Sequence, residues 1–494
     1  MHLASLPDHR AQVDPDGRAV SDSARALTNA GLRDEVCAAA EHLHELGVGA
    51  GAVVALKLTN RIEFVTAMFA AWRLGATVTP VNPSLTEREV ARQLDDSGAH
   101  ILLIEDGAPA VSGTPTLTIG ALRRLPRETL RPVETDPSDL ALLIYTSGTT
   151  GVPKGVMLDH ANLDATVAMG RLGLGLAPDD RCLLILPLFH VNAIVVSVLL
   201  PLSQGASVVI ADRFDPSVFF DLVESERATY FSAVPTVFAM LASLPAEVTP
   251  DTFAVRYAVC GAAPASPALL EQFEERYGFP VVEGYGLSEA TCGATLNPVD
   301  GPRRAGTVGV PFPGQEVRIL DADGAEAPAG ATGEVVLRGD NIMRGYLGRP
   351  EETAKVIVDG WLHTGDLGYL DDDGYLTLVG RSKDLIIRGG ANIYPKEIED
   401  VLTAHPAVRE AAVIGAPDPV WGEIVVAYLE AAPGEVIDIA LVEAHCAAHL
   451  SGYKRPVGFR VLDALPRNAL GKVAKPALRD LYSATEIASA GTDA

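Results

Sequence analysis

The stretch that decides the fold class runs from residue 53 to residue 105 and reads VVALKLTNRIEFVTAMFAAWRLGATVTPVNPSLTEREVARQLDDSGAHILLIE. Short apolar runs (VVALKL, ATVTPV and HILLIE) alternate in it with longer amphipathic runs (RIEFVTAMFAAWRLG and EREVARQLDDSG). The short runs are typical of buried strands, and the longer runs are typical of helices. Because helices that connect successive strands place those strands parallel in one sheet, this alternation predicts an α/β protein.

The same alternation continues toward the C-terminus and then stops. Further apolar runs predict strands at 141–145, 182–186, 206–211, 228–234 and 256–261. After residue 300, EVRILDADG, GEVVLRG and GYLTLVG alternate apolar and polar residues between glycine and aspartate turns, which predicts antiparallel strands. We therefore expect a large N-terminal domain (1–380) of layered parallel sheets with helices plus a small antiparallel β subdomain. A boundary segment at 381–383 then precedes a small α+β C-terminal domain (384–494).

Bulk properties restrict the protein class and its partners. A chain of 494 residues exceeds what one hydrophobic core supports, which predicts more than one domain. The formal net charge of −25 disfavours binding to nucleic acid. The five cysteines stand singly, which disfavours a disulfide framework or a zinc site and favours a reducing, cytoplasmic location. The N-terminal residues MHLASLPDHRAQVDPDG lack an apolar core, so no secretory signal is expected.

One apolar segment, residues 182–202, is long enough to cross a membrane and contains no Asp, Glu, Lys or Arg. Pro187, His190, Asn192 and Pro201 interrupt it, however. A strand followed by a buried helix fits this pattern better than a transmembrane helix. We therefore expect no integral membrane association.

A glycine- and hydroxyl-rich loop, YTSGTTGVPKG at 145–155, follows one of the predicted strands. Its small residues leave backbone N–H groups free to approach an anion, its hydroxyls add donors, and Lys154 adds positive charge. It is not a Walker A loop, because Lys154 is followed by Gly155 rather than by serine or threonine. A flexible turn is the alternative, but the combination favours a phosphate-binding loop.

The sequence YTSGTTGVPKGV resembles the phosphate loop of the adenylate-forming superfamily, which includes acyl-CoA synthetases, aryl-CoA ligases, luciferases and the adenylation domains of peptide synthetases. Further segments resemble the family's motifs, in the family's order, so that the resemblance covers nearly the whole chain. They are LPLFHVNA (186–193), GAAP (261–264), GYGLSE (284–289), GEVVLRGDNIMRGYLGRPEET (333–353), WLHTGDLG (361–368), GRSKDLIIRGGANIYPKEIE (380–399) and PRNALGK (466–472). The overall texture is closest to that of bacterial fatty-acyl-CoA ligases.

The resemblance implies ATP and Mg²⁺ as ligands. It makes Glu289 the magnesium ligand, with Thr149 assisting. Asp366 would accept hydrogen bonds from the ribose hydroxyls, and Arg381 would contact the ribose or a phosphate. The implied ATP-binding residues are Thr146, Ser147, Gly148, Thr149, Thr150, Gly151, Lys154, Gly261, Ala262, Ala263, Pro264, Glu283, Gly284, Tyr285, Gly286, Leu287, Ser288, Asp366, Arg381 and Lys472.

The resemblance also implies an acyl pocket, with His190 near the acyl carboxylate. Val191 follows His190, where enzymes for amino acids usually carry an aspartate, so a plain carboxylic acid is expected. Met240 stands near the place where ligases for malonate carry an arginine, so a monocarboxylic acid is expected. Asn192 could bond either a polar substituent of the acid or its own backbone. The implied pocket residues are His190, Val191, Asn192, Val234, Ala262, Gly284, Gly286, Leu287, Ala290, Thr291 and Gly293.

CoA is the implied co-substrate, with Gly389, Gly390 and Asn392 at its site and Lys383 at the hinge of a mobile C-terminal domain. The implied catalytic residues are Lys472, His190, Lys154 and Glu289. In this mechanism Lys472 assists formation of the acyl-adenylate. The C-terminal domain then rotates about Lys383, and the CoA thiol attacks.

The expected substrate is a medium- or long-chain fatty acid or an aryl-alkyl monocarboxylic acid. The alternative acceptor is the phosphopantetheine of a carrier protein, and homo-oligomer formation stays open.

Overall fold

The computed structural model describes residues 2–111, 113–123, 132–146, 153–263, 265–467 and 472–490, with backbone only for 484–490. It divides into two compact units. The first unit comprises Met1–Arg318, Val336–His363 and Asp372–Leu376. The second unit comprises Ile319–Val335, Thr364–Asp371 and Thr377–Ala494. Since each unit gathers three segments of chain, the single boundary predicted at 381–383 stays a prediction.

The helices alternate with strands along most of the chain. They are α1 (Leu6–Val13), α2 (Asn29–Glu45), α3 (Ile62–Arg73), α4 (Glu87–Ser97), α5 (His160–Leu174), α6 (Val191–Ile194), α7 (Leu200–Ser203), α8 (Phe219–Glu226), α9 (Pro235–Ala242), α10 (Pro267–Tyr277), α11 (Pro350–Val356), α12 (Pro395–Thr403), α13 (Ile439–His449) and α14 (Lys475–Ala490).

The strands up to residue 311 are short and mostly buried. They are β1 (Arg18–Ser21), β2 (Ala26–Thr28), β3 (Val53–Lys57), β4 (Thr77–Pro80), β5 (Ile101–Ile104), β6 (Thr116–Thr118), β7 (Leu140–Thr146), β8 (Lys154–Asp159), β9 (Arg181–Leu184), β10 (Ser207–Ile210), β11 (Tyr230–Ala233), β12 (Tyr257–Cys260), β13 (Val281–Tyr285), β14 (Thr295–Leu296) and β15 (Val310–Pro311).

The later strands include longer ones. They are β16 (Glu316–Leu320), β17 (Gly333–Arg338), β18 (Gly345–Tyr346), β19 (Ile357–Val358), β20 (Trp361–Leu370), β21 (Leu376–Arg381), β22 (Ile386–Arg388), β23 (Ala391–Ile393), β24 (Val408–Asp418), β25 (Gly422–Ala431) and β26 (Gly458–Leu462).

The strands assemble into layered sheets. One sheet has the order β15-β14-β13-β12-β11-β9-β10-β1-β2, and another has the order β18-β8-β7-β4-β3-β5-β6. From β13 through β1 the neighbours in the former sheet are parallel, as are those from β7 through β6 in the latter. A third sheet has the order β16-β17-β20-β19, with β21 beside β20, and a fourth has the order β23-β22-β25-β24, with β26 beside β25. The predicted α/β class is confirmed.

Local sequence signals explain where individual elements begin and end. The predicted helix at 87–98 is α4, which Thr86 and Glu89 cap reciprocally at the N-terminus. Gly98 ends it in a left-handed conformation (φ 62°), the usual helix-terminating role of glycine. Helix and strand positions in the opening stretch therefore agree with those predicted from its apolar pattern.

The apolar segment at 182–202 forms a strand and a helix, as predicted. Its first residues belong to β9, and the later ones form α6, a π-helical turn at Val195–Leu199 and α7. Most of these side chains are buried in the protein. Among the described residues, no helix has both the length and the apolar character needed to span a membrane.

Candidate active site

The central feature of the candidate site is one edge of the sheet that contains β9–β13. Strands β9, β11, β12 and β13 are parallel neighbours, so their carboxyl ends meet at the same edge. Such an edge is the usual binding position in open α/β sheets. The turns that follow these strands carry His190, Val234, Gly261–Ala263 and Gly286–Glu289. The fold thus brings together motifs that are far apart in the sequence.

The turn after β13 requires glycine at residue 286. A Cβ atom added there would lie 1.7 Å from the carbonyl oxygen of Cys292. Thr291 (φ 48°) and Cys292 (φ 90°) adopt left-handed backbone conformations that residues other than glycine rarely take. Strain of this kind tends to be kept at functional sites. Ala262, in the turn after β12, is likewise left-handed (φ 67°) and exposed.

A buried asparagine that the sequence analysis did not single out holds this turn. The Asn341 side-chain amide donates to the carbonyl oxygens of Ala290 (3.1 Å) and Gly293 (3.0 Å). The Thr291 hydroxyl donates to the Asn341 carbonyl oxygen at 2.6 Å. Ala290 and Thr291 are both 0% exposed. Protein encloses both side chains, and the expectation that they line the acyl pocket stays a prediction.

Glu289 and Lys154 are linked through Tyr346. The Tyr346 hydroxyl donates to Oε1 of Glu289 at 2.9 Å. Lys154 Nζ lies 4.9 Å from the centroid of the Tyr346 ring and forms an ion pair with Glu352. The structure thus places the predicted magnesium ligand near the lysine of the predicted phosphate loop. Tyr346 lies within the quoted motif GYLGRPEET, but nothing in that pattern indicated its contacts.

The His190 segment is anchored by Asn60, a second buried asparagine that the sequence analysis missed. Its side-chain oxygen accepts from the Leu188 N–H at 2.8 Å, and its amide donates to the carbonyl oxygens of Leu186 and Ala211, each at 3.1 Å. His190 occupies the N-cap position of α6, and its ring lies 4.3 Å from the Phe189 ring, centroid to centroid. Asn60 therefore fixes the loop that presents His190.

The residues of the expected acyl pocket have neighbours within the protein. The Asn192 side-chain oxygen accepts from the hydroxyl of Ser232, on β11, at 3.1 Å, a partner outside both alternatives that the sequence left open. Val191 is buried, and Val234 forms the N-cap of α9. Met240, further along α9, is 47% exposed. A Cβ atom on Gly284 or Gly293 would crowd Leu296 (3.0 Å) or Phe312 (3.1 Å), so both glycines sit against their neighbours.

In the second unit, three of the predicted nucleotide-contacting residues interact. Asp366 Oδ1 and Arg381 Nε form an ion pair at 2.9 Å. Asp366 is buried, and its backbone N–H donates to Oγ1 of Thr364 at 3.0 Å. Lys472 is exposed as a residue, yet desolvation at its amino group, and next the charge of Arg381, lower its pKa. The Asp366 carboxylate opposes this shift. These groups therefore form one charge cluster, the 366–381–472 cluster.

The predicted CoA residues lie in the β22–β23 hairpin of the second unit. Gly389 (φ 57°) and Gly390 (φ 83°) form its turn, and Asn392, on β23, is exposed. The Gly389 N–H donates to the Trp421 carbonyl oxygen at 2.7 Å, and a Cβ atom on Gly389 would lie 2.9 Å from the Trp421 ring. Trp421, half exposed, was not predicted; an aromatic residue in the turn DPVWGE was its only signal in the sequence.

Some predicted residues lie outside the described part of the chain. They are Ser147, Gly148, Thr149, Thr150, Gly151 and Pro264. Within the described part, no group of three or more His, Cys, Asp or Glu side chains is arranged to hold a metal ion. Mg²⁺ commonly takes one or two protein carboxylates and completes its coordination with phosphate oxygens and water. The half-buried Glu289 carboxylate fits that mode, with one oxygen held by Tyr346.

Family models match both parts of the chain. The model of the AMP-binding enzyme family matches residues 7–347, and the model of the AMP-binding enzyme C-terminal domain matches residues 397–472. The chain belongs to the AMP-binding enzyme family. The predicted membership of the acyl-CoA synthetase and ligase superfamily, and with it the predicted enzyme class of acid–thiol ligase, is confirmed.

Similar proteins align along almost the full chain. A feruloyl-CoA synthase of an Amycolatopsis species is 38% identical over 97% of this chain and 98% of its own length. The ATP-bound structure of MatB from Rhodopseudomonas palustris is 33% identical with a TM-score of 0.91, covering 98% of this chain and 99% of that one. The o-succinylbenzoate CoA synthetase MenE of Bacillus subtilis, in complex with ATP and a magnesium ion, is 34% identical with a TM-score of 0.87, covering 96% and 98%.

Proposed function

We propose that this enzyme activates an aryl or aryl-alkyl monocarboxylic acid with ATP and transfers the acyl group to CoA. The observation that carries the proposal is the convergence at one sheet edge of His190, the glycine-containing turn at 284–293 and Glu289, with Lys154 joined to Glu289 through Tyr346. Carboxylate binding, magnesium binding and phosphate binding are thereby supported in adjacent positions.

The names of similar proteins favour an aromatic acid over a fatty acid. Feruloyl-CoA synthase and o-succinylbenzoate CoA synthetase, two similar proteins that cover nearly the whole chain, bear the names of aromatic acids. A medium- or long-chain fatty acid, the other expectation from the sequence, is retained as a competing outcome of the test.

In the first half-reaction the substrate carboxylate attacks the α-phosphorus of ATP, an acyl-adenylate forms and pyrophosphate leaves. Negative charge grows on the α-phosphoryl oxygens, so fixed positive charges there lower the barrier. We assign Lys472 to these oxygens and Lys154 to the departing phosphates. Bound at Glu289, Mg²⁺ would neutralise phosphate charge.

In the second half-reaction the CoA thiol attacks the acyl carbonyl carbon, the thioester forms and AMP leaves with the carboxylate oxygen that had bonded to phosphorus. We assign the hairpin turn at Gly389–Gly390 to the pantetheine arm, because a turn without side chains allows close approach of a thin chain. We assign Lys383 to the hinge about which the C-terminal domain would rotate between the two half-reactions.

Release of pyrophosphate from ATP, measured with a panel of acids in the presence and absence of CoA, tests the proposal. A hydroxycinnamate or benzoate derivative should give the fastest release, ahead of octanoate, dodecanoate, malonate and free amino acids. CoA should be required for AMP release and thioester formation. Faster turnover with dodecanoate would restore the fatty-acid interpretation. Transfer to a phosphopantetheinylated carrier protein but not to CoA would favour the loading function.

A further inference from the structure

Tyr346 contacts two groups with proposed roles in nucleotide binding, Glu289 and Lys154. Its hydroxyl donates to Glu289 Oε1 at 2.9 Å, and Lys154 Nζ lies over its ring, 4.9 Å from the centroid. One side chain therefore separates the carboxylate proposed for magnesium from the ammonium proposed for the phosphates.

The backbone around Tyr346 is fixed from two sides. In the β18–β8 ladder, Tyr346 pairs with Val156, two residues from Lys154, so that the two side chains are diagonal neighbours. The Tyr346 N–H donates to Oγ1 of Thr353, on α11, at 2.9 Å. Gly345 has φ 138°, and a Cβ atom there would lie 2.6 Å from Thr353 Cγ2. Tyr346 thus has little freedom to move.

The Tyr346 hydroxyl faces Glu289 as a hydrogen-bond donor to Oε1. Tyr346 is 8% exposed, so this contact is largely shielded from solvent. A bond to one carboxylate oxygen fixes the orientation of the group and leaves the second oxygen able to bind a cation.

Lys154 is held on its other side by Glu352. Glu352, in the first turn of α11, forms an ion pair with Lys154 and lies 3.6 Å from Arg349. The Lys154 side chain is 15% exposed. A mostly buried ammonium between a carboxylate and an aromatic face is held in place before any phosphate arrives.

We propose that Tyr346 is a positioning residue that sets the spacing and orientation of Glu289 and Lys154 for a nucleotide–magnesium complex, with Glu352 holding Lys154 against its ring. The proposal rests on the function proposed above and adds how the two charged groups are presented together. Removing the hydroxyl should weaken magnesium binding at Glu289 alone, because a phenylalanine ring still supports Lys154. Removing the Glu352 charge should affect phosphate binding at Lys154 alone.

The test measures ATP binding by calorimetry at a series of Mg²⁺ concentrations, without any acid, so that no turnover contributes. For Tyr346→Phe, the Mg²⁺ concentration that gives half of the maximal gain in ATP affinity should rise about tenfold, the usual order for loss of a ligand's hydrogen-bonding partner. For the matched variant Glu352→Gln, ATP affinity should change at every Mg²⁺ concentration while that midpoint stays in place. Thermal unfolding of both variants, with the wild type, checks the fold.

Two outcomes overturn the proposal while the proposed function stands. One is a wild-type magnesium midpoint in Tyr346→Phe, and the other is an equal shift of the midpoint in both variants, which would indicate a general structural effect. If the wild-type protein itself binds ATP with no dependence on Mg²⁺, the magnesium role of Glu289 fails and the positioning role of Tyr346 fails with it, whereas failure of the proposed function is read from the acid panel.

Discussion

Two regions of the molecule carry the proposed chemistry in different ways. In the first unit, the turn at 284–293 depends on backbone shape: Gly286 leaves no room for a Cβ atom, and Thr291 and Cys292 hold left-handed conformations. In the second unit, the 366–381–472 cluster depends on charge, with an Asp366–Arg381 ion pair whose members both act on Lys472.

Because they are built differently, the two regions should tolerate different kinds of substitution. A site built from backbone shape loses its geometry when a single methyl group is added, whatever the charge of the new residue. A site built from charges keeps its fold when a charge is removed and loses only the step that used this charge. Substitutions in the two regions should therefore differ in which property fails, and not only in the size of the loss.

The largest effect is expected for Gly286→Ala. Since the added methyl group would lie 1.7 Å from the Cys292 carbonyl oxygen, the turn must move, and Glu289 must move with it. We expect pyrophosphate release to fall by more than about 10³-fold, because misplacement by an ångström already costs about 10²-fold, and the Tm to fall. Gly49→Ala, where an added Cβ atom meets nothing within 4 Å, is the matched control in the same unit. Equal Tm and activity for the two variants would contradict the shape argument.

Lys472→Ala should have the next largest effect, confined to one half-reaction. Loss of one preorganised positive charge should slow adenylate formation by about 10²–10³-fold. The reaction of pre-made acyl-adenylate with CoA should stay within a few-fold of the wild type. Parallel assays of the two half-reactions check this. Equal losses in both would mean that the cluster acts structurally, as the turn does.

Asp366→Ala should weaken ATP binding by a smaller amount. The substitution removes a charged acceptor expected to bond the ribose hydroxyls, which costs about 1.5–3 kcal/mol, or about 10- to 150-fold in affinity. Calorimetric titration with ATP measures the change. Asp373→Ala, in an exposed turn, serves as a control for loss of one acidic residue. Unchanged affinity in Asp366→Ala would remove this residue from the nucleotide site.

The smallest effect concerns pH. Desolvation and the Arg381 charge lower the pKa of Lys472, so its proton is lost at a lower pH than from an ordinary lysine. Adenylate formation should therefore decline as the pH rises toward this lowered pKa. Lys472→Arg, which stays protonated, should shift the decline to higher pH even if its maximal rate is lower. An identical alkaline limb in both proteins would assign the decline to another group.

Sequence reasoning recovered the fold class and most element positions because periodicity and capping are local. The opening stretch predicted α3, α4 and their flanking strands, and Gly98 ends α4 as glycine usually does. The site motifs could be found because the resemblance supplied their order. Their meeting in space depends on the order of the parallel strands β9, β11, β12 and β13 in the sheet. No single motif predicts that order.

The supporting residues could not be predicted, because their roles arise from contacts between distant segments. Asn60 bonds to a loop more than a hundred residues away, and Asn341 supports a turn about fifty residues before it. Nothing in the local pattern distinguishes these asparagines from ordinary turn residues. The same reason explains why the contact of Thr291 could not be predicted: its hydroxyl donates to the backbone carbonyl oxygen of Asn341, 50 residues further along the chain.

Isotope transfer tests the central claim, an acid–CoA ligase that works through an acyl-adenylate, most directly. The enzyme is supplied with ATP, CoA and an aryl-alkyl acid whose carboxylate is labelled with ¹⁸O, and the products are examined by mass spectrometry. Attack of the carboxylate on the α-phosphorus predicts one ¹⁸O atom in AMP and unlabelled pyrophosphate. Label in inorganic phosphate with formation of ADP, or AMP without label, would contradict the account.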